Sequence, residues 1–508
     1  MENRKLLLFE KIFAGLLLIA AGLSVFFAVF VIISRLYFPY SVESIEGASL
    51  LQVLRILTGQ PLYTQPSLDY IPLIYPPVYF YLSAFVTRLL GVSFAPLRLV
   101  SAVAFAGCLV IIFLIIESTT KDRYSAFIGA GFFAATYPLS GIWFDVARVD
   151  SLFVFFCITA IWLSSREDAT ALFLSSLFWI LAVFTKQTAL IAFVPSFAYL
   201  LFLNFRKNGI RLAITVLGGV TAYGVCSMLW GKWFSYFFYY LPTFHQSKTD
   251  LAEISVSLAQ LILPLILAIF ISLPAFLLDE KLWSKQKYIP YYGFMTCVLF
   301  GLSLMGRLNL GGFTNVYMPA HVMIAVMLGM GLHWWKNKLQ SSSPQRSSLL
   351  KSVLYLICIF QFLSLGYDPR SVIPHDIQAE SWARLERFIE VSDGNVLVPE
   401  LNYLPVFANK ASFANQVALD EIIGEFGIAE PIQSAVLSAE ITHALQDQRF
   451  GLVLLPDLDG AWEEVTDYYQ CSTFSRAINQ PGFPHNIVEE YNVCHPAEAI
   501  PAPTDLVE

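Results

Sequence analysis

Along the 508-residue chain, apolar residues gather into runs, mostly near twenty positions long, and polar residues are pushed to the junctions between them. A helix of ~20 apolar residues crosses a ~30 Å hydrocarbon core, so the pattern predicts a polytopic α-helical membrane protein. The runs fall at 12–33, 97–117, 125–143, 151–164, 170–186, 187–204, 211–230, 255–278, 288–305, 315–334 and 349–367, eleven expected spans. The first follows Arg4, Lys5 and Lys11, lacks a small-residue cleavage site and is too long for a signal-peptide core, so it reads as a retained anchor. A further apolar stretch, 76–90, opens on the helix-breaking pair Pro76-Pro77.

Basic residues decide how that stretch is read. If 76–90 crossed, Lys121/Arg123 and Arg206/Lys207/Arg211 would emerge on the outer side. If it lies at the interface, those residues join Arg4/Lys5/Lys11, Arg166, Lys281/Lys285/Lys287 and Lys336/Lys338/Arg346/Lys351 on one face. The positive-inside rule makes that face cytoplasmic. The expectation is an N-terminus inside the plasma (inner) membrane, eleven spans, a juxtamembrane element at 76–90, and a C-terminal part outside.

Composition sharpens this division. Hydrophobic residues make up 56% of the chain and charged residues only 14%, too few charges for an ordinary cytosolic protein. The net charge of −7 conceals a basic body, with 25 basic against 16 acidic residues in 1–368, and an acidic tail with 22 acidic against 6 basic. Two domains are expected: a membrane domain at 1–368, with a first outer loop at 35–76, and a small extracytoplasmic α/β domain at 369–508. In the latter, helical stretches (378–388, 430–445) alternate with short apolar runs (395–399, 451–456). Five cysteines (108, 157, 226, 297, 358) sit in spans; Cys471 and Cys494 lie in the outer part, either bonded or free.

Charged groups near hydrocarbon need partners or a polar cavity. Four clusters meet that description at the outer face. Glu43 and Glu46, three apart, would share a face of a helix starting there, with Ser41 or Ser44 as its cap; helix-dipole compensation is the plainer account of either acid. Asp145, Arg148 and Asp150 sit between two spans, where an exposed ion pair is the plainer account. Lys186, in Thr-Lys-Gln, falls at a turn between two short spans, as a snorkelling lysine would. The segment 306–317 offers glycines with Arg307, Asn315 and Tyr317, suited to hydroxyls and phosphate, or forms an ordinary turn. Aromatics crowd 231–244 as an interfacial belt, and His245 stands alone. No P-loop, dinucleotide fingerprint, Gly-x-Ser-x-Gly elbow or zinc spacing is present.

Taken in order, the motifs resemble a known group. They are Glu43 and Glu46-Gly47, Gly59-Gln-Pro-Leu-Tyr63 with Asp69, Tyr75-Pro-Pro-Val-Tyr79, Leu97-Arg98-Leu-Val-Ser101, Trp143-Phe-Asp-Val-Ala-Arg-Val-Asp-Ser151, Phe184-Thr-Lys-Gln187 and a late Gly-Gly-x-x-Asn. Over about residues 1–335 the chain is similar to the GT-C integral-membrane glycosyltransferases, family-39-like. That group includes aminoarabinose transferases, protein O-mannosyltransferases and rhizobial lipopolysaccharide sugar transferases. The resemblance implies a polyprenyl-phosphate sugar donor, a lipid, glycan or protein acceptor, and transfer at the outer face. It implies Glu46 and Asp150 as catalytic acids, Glu46 as the base or the acceptor-orienting acid and Asp150 assisting, with Glu43 as the candidate substitute for the first acid of the pair. Arg148, Lys186 and Arg307 would hold the phosphate, and Asn315, Tyr317, Asp145, Tyr63 and Asp69 would contribute to binding. The chain departs from the group's paired Asp-Glu, since Ile45 precedes Glu46, and has Tyr75 where some relatives place a base before the prolines. No resident cofactor or metal is expected; a divalent cation between two of the acids is the alternative. A multi-span transporter or lipid flippase, and a non-catalytic scaffold, are the rival readings.

Overall fold

A computed structural model describes residues 2–277, 288–475 and 490–497. Lys281, Lys285 and Lys287 of the expected cytoplasmic set, and residues 498–508 of the acidic tail, lie outside the described residues. Each of the eleven expected spans contains a helix: Glu2–Leu36, Phe94–Thr120, Arg123–Ala135, Asp150–Ser164, Ala169–Val183, Ala189–Leu203, Phe205–Trp230, Leu251–Ile262 continuing into Ile266–Leu277, Ile289–Leu308, Met318–Gln340 and Pro344–Ser364. Among the described residues, seven helical stretches are long and apolar enough to cross a membrane. The helices Asp150–Ser164, Ala169–Val183 and Ala189–Leu203 have 15 residues each. At ~1.5 Å per residue each extends ~22 Å, short of the full core thickness.

The two ends of the bundle carry separate sets of charges. At one end Asp122 bonds Lys336 at 2.7 Å and His333 at 3.1 Å, and Lys351 meets Glu10 at 3.7 Å. At the other end lie Arg35 with Asp145, Arg98 with Glu46, Arg148 with Glu43, and Lys186 with Asp150. Lys336 and Lys351, two of the bases assigned to the cytoplasm, thus lie at the end of the bundle opposite the residues singled out at the outer face.

The stretch behind Pro76-Pro77 is a discrete helix, Val78–Leu90, with Pro77 as its cap. It packs against another short helix, Ser44–Leu57. On these rests the C-terminal unit, a four-stranded sheet of β1 (Asn395–Leu397), β2 (Phe450–Leu455), β3 (Tyr469–Ser475) and β4 (Glu490–Pro496) in the order β1-β2-β4-β3. β1 and β2 run parallel, with helices Gln416–Ile423 and Gln433–Gln446 in the crossover; β4 is antiparallel to both β2 and β3. Cys471 and Cys494 oppose each other across β3 and β4 and are joined as a disulfide, which resolves the choice left open by the sequence.

One apolar cluster ties this unit to the membrane part: Leu50, Val53, Phe94 and Leu97 pack with Trp382, Tyr403, Leu404 and Leu452. The ring of Tyr403 sits so close to Gly47 that a Cβ there would come within 2.6 Å of it. A side chain after Glu46 would therefore push the C-terminal unit off the loop, which gives the Glu-Gly pair a packing reason.

Candidate functional site

The loop after helix Glu2–Leu36 turns into helix Ser44–Leu57 through Glu43 itself. Its Oε2 accepts from the backbone N–H of Ile45 at 3.0 Å, so Glu43 is the N-cap and neither Ser41 nor Ser44 is. The expected common face for the two acids is not formed. Glu46 points inward, fully buried: Oε1 accepts from Arg98 Nε at 3.0 Å and Ala147 N at 2.7 Å, and Oε2 from Arg98 Nη2 at 2.6 Å and Val42 N at 2.8 Å. Arg98 in turn donates to the carbonyls of Arg35, Phe38 and Tyr40. Glu46 thereby pins the first loop, the second loop and helix Phe94–Thr120 to one another.

Glu43 points the other way, into a cavity. There the second loop brings Arg148, whose Nη1 donates to Glu43 Oε1 at 2.8 Å and whose Nε reaches Asp150 Oδ2 at 3.3 Å. Ser151 Oγ folds the loop by bonding Phe144 O at 2.7 Å, and Ser101 Oγ anchors Arg148 O at 3.2 Å. Asp150 opens its helix, where the dipole favours an acid. Its Oδ1 accepts from Lys186 Nζ at 2.7 Å, and Asn315 also bonds it.

Lys186 is held by the turn between two 15-residue helices. Phe184 O accepts from Val78 N at 3.0 Å, and Gln187 Nε2 donates to Ile74 O at 3.1 Å, so the Thr-Lys-Gln turn and the Pro-Pro element are stitched together. Tyr75 Oη then accepts from Arg148 Nη2 at 3.2 Å.

Glu43 and Glu46 differ in basicity. Burial pushes the Glu43 carboxyl above the usual range despite the opposing charge of Arg148. Burial acts on Glu46 too, but Arg98 and two backbone N–H groups outweigh it and hold it below.

Glu43, Arg148, Asp150, Lys186 and Asn315 line a single cavity of about 460 Å³, whose opposite wall comes from the C-terminal unit through Glu400, Gln416, Asp420, Glu421 and Phe426. His245 lies at the rim bonded to Glu421, whose charge raises the imidazole pKa against the effect of burial. Its segment pairs on both sides, Gln246 N with Phe426 O at 3.0 Å and Leu310 N with Gln246 O at 3.1 Å. His245 is therefore part of the wall, not a lone residue of the aromatic belt.

The other expected residues serve elsewhere. Glu46 does not line the cavity, because both of its oxygens are committed to Arg98 and backbone donors. Asp145 is buried against Arg35 and Tyr137. Tyr63 lies in an aromatic cluster with Trp230 and Phe234, donating to Tyr75 O at 2.6 Å, so it braces the Pro-Pro element. Asp69 is exposed and bonds Arg449 of the C-terminal unit. Arg307 Nη1 donates to Gly312 O at 2.7 Å, which closes its own loop, and Tyr317 OH donates to Ser257 O at 3.0 Å. Sequence reasoning missed Arg98 as a partner, although a charge inside the run 97–117 was a signal. Asp420 and Glu421 gave none.

Among the described residues no group of three or more His, Cys, Asp or Glu side chains is arranged to hold a metal ion. Between Glu43 and Asp150 stands the Arg148 guanidinium, bonded to both.

Short helices capped by the C-terminal unit, with acids, an arginine and a lysine gathered beneath it, make a fold shared with solved structures of a membrane sugar transferase. Residues 75–230 match the family model described as dolichyl-phosphate-mannose-protein mannosyltransferase. The fold is similar to that of ArnT from Cupriavidus metallidurans bound to undecaprenyl phosphate, at TM-score 0.58 and 11% identity, covering 95% of this chain and 99% of that one. The apo ArnT structure gives TM-score 0.58 and 10% identity over the same 95% and 99%. The apo oligosaccharyltransferase of Archaeoglobus fulgidus follows at 0.49 and 11%, covering 92% and 73%. No curated protein matches the sequence.

Proposed function

We propose that the protein is a membrane glycosyltransferase that moves a sugar from a polyprenyl-phosphate donor to an acceptor hydroxyl at the outer face of the plasma membrane. The observation that carries this reading is the convergence of Glu43, Arg148, Asp150 and Lys186, from three separate segments, on one cavity. The N-terminus then lies in the cytoplasm and residues 369–508 outside. Residues 1–368 form the catalytic domain. A disulfide in the outer unit suits an oxidising compartment.

In this reading Glu43, the more basic acid, takes the proton of the acceptor hydroxyl as its oxygen bonds C1 of the sugar. The bond from C1 to the phosphate oxygen breaks, and polyprenyl phosphate leaves with its new charge against Lys186 and Arg148. Asp150 positions both cations. Glu46 is a positioning residue. Arg148 and Lys186 together balance the charge of the two acids that a divalent cation would need, so in this reading transfer proceeds without one.

Reconstituted protein, given a polyprenyl-phosphate-linked labelled sugar and an acceptor, releases polyprenyl phosphate and labels the acceptor, and Glu43→Gln does neither. Movement of intact donor across the bilayer without cleavage would instead establish the transporter reading.

A further inference from the structure

The cavity divides by charge. On the membrane side both cations are matched, Arg148 to Glu43 and Asp150, and Lys186 to Asp150. The outer wall contributes Glu400, Asp420 and Glu421, and among the described residues the base facing them is His245, already bonded to Glu421. Glu400 and Asp420 have no cationic partner among the described residues; Asp420 Oδ1 accepts only the amide of Gln416, at 2.7 Å. Asp457 adds negative charge beside Glu400, and Glu425 beside Asp420. The donor's lipid chain and phosphate belong to the membrane side, where the cations are. What meets the outer wall is the acceptor.

Resting on the glycosyl-transfer reading, we propose that Glu400 and Asp420 determine acceptor specificity by rejecting anionic groups, so that the reacting hydroxyl belongs to an uncharged glycan. Like charges brought together across a partly dehydrated wall repel, and such repulsion is how wrong partners are excluded. The remaining lining suits a sugar: the amides of Gln416 and Asn309 offer donors and acceptors, and Phe313 and Phe426 offer ring faces. Burial and the neighbouring acids push both carboxyls up to about 7. Above neutrality both are charged and the repulsion is fullest, so the acceptor preference should sharpen as pH rises from about 7 to about 8.

The test uses the full chain in liposomes with a polyprenyl-phosphate-linked labelled sugar and two synthetic lipid-linked disaccharide acceptors that differ only by one phosphate. The wild type favours the neutral acceptor by at least about tenfold in kcat/KM. The double variant Glu400→Gln/Asp420→Asn narrows that ratio at least about fivefold through acceptor KM, with donor KM held within about twofold. Glu400→Gln alone serves if the double variant does not fold. Equal use of both acceptors by the wild type, or an unmoved ratio in a folded variant, overturns the proposal. Failure to release polyprenyl phosphate with either acceptor would overturn the glycosyl-transfer reading itself.

Discussion

Replacing Glu46 with Gln separates a positioning acid from a catalytic one. The substitution preserves volume, but an amide NH₂ must take the place of one oxygen. Both oxygens receive two donors each, from Arg98 with Ala147 N or Val42 N, so either rotamer turns an NH₂ group against two N–H groups. Arg98, with no exposed surface, loses its carboxylate and keeps only carbonyl acceptors. Breaking a buried ion pair costs about 3–5 kcal/mol. Against a total stability on the order of 5–15 kcal/mol, that is a large share. The variant's thermal midpoint in detergent, read by fluorescence size-exclusion, should fall by at least about 5 °C. Its lost activity should follow the lost fold. A Glu46→Gln protein with an unchanged midpoint and a turnover reduced about a hundredfold would refute this reasoning and return the base to Glu46.

Three further outcomes are expected. Glu43→Gln lowers kcat by about 10²–10⁴ with donor KM close to wild type, measured by transfer kinetics on purified protein, and its thermal midpoint falls less than that of Glu46→Gln because Asp150 still pairs Arg148. Lys186→Met lowers kcat by about 10²–10³ in the same assay, because one cation facing the departing phosphate is gone while Arg148 still holds Asp150. The contribution of Glu400 and Asp420 to stability should decrease as pH rises from about 4 to about 7. Glu400 and Asp420 have folded pKa values raised to about 7, so in that window the folded state binds more protons than the unfolded one. The groups facing them are Asp457, Glu421, Glu425 and Gln416, with His245 held on Glu421. In Glu400→Gln/Asp420→Asn the slope of thermal midpoint against pH should flatten; an equal slope would contradict this.

Much of the fold was legible because hydrophobic run length is a strong signal: every expected span holds a helix, and Pro76-Pro77 marked where Val78–Leu90 begins. The alternation in the tail located β1 and β2 and the helix Gln433–Gln446 between them. The site was legible as a neighbourhood. Arg148, Asp150 and Lys186 meet because polar groups at the outer ends of short helices have one place to go. Which acid faces the cavity was not legible, since Glu43 and Glu46 lie three residues apart and only the inward turn at Arg98 separates their roles. The outer wall was hidden for a different reason. Asp420 and Glu421 sit in an ordinary amphipathic helix, and their place at the cavity depends on how the C-terminal unit docks through Tyr403 and Gly47.

The most direct test of the central claim is an experimental structure of the full chain in a lipid nanodisc with bound polyprenyl phosphate. The account predicts the phosphate within hydrogen-bonding distance of Lys186 Nζ and the Arg148 guanidinium, with Glu43 facing the open side of the cavity and Glu46 still bonded to Arg98. A phosphate bound away from both cations, or Glu46 released from Arg98 to meet the ligand, would contradict it.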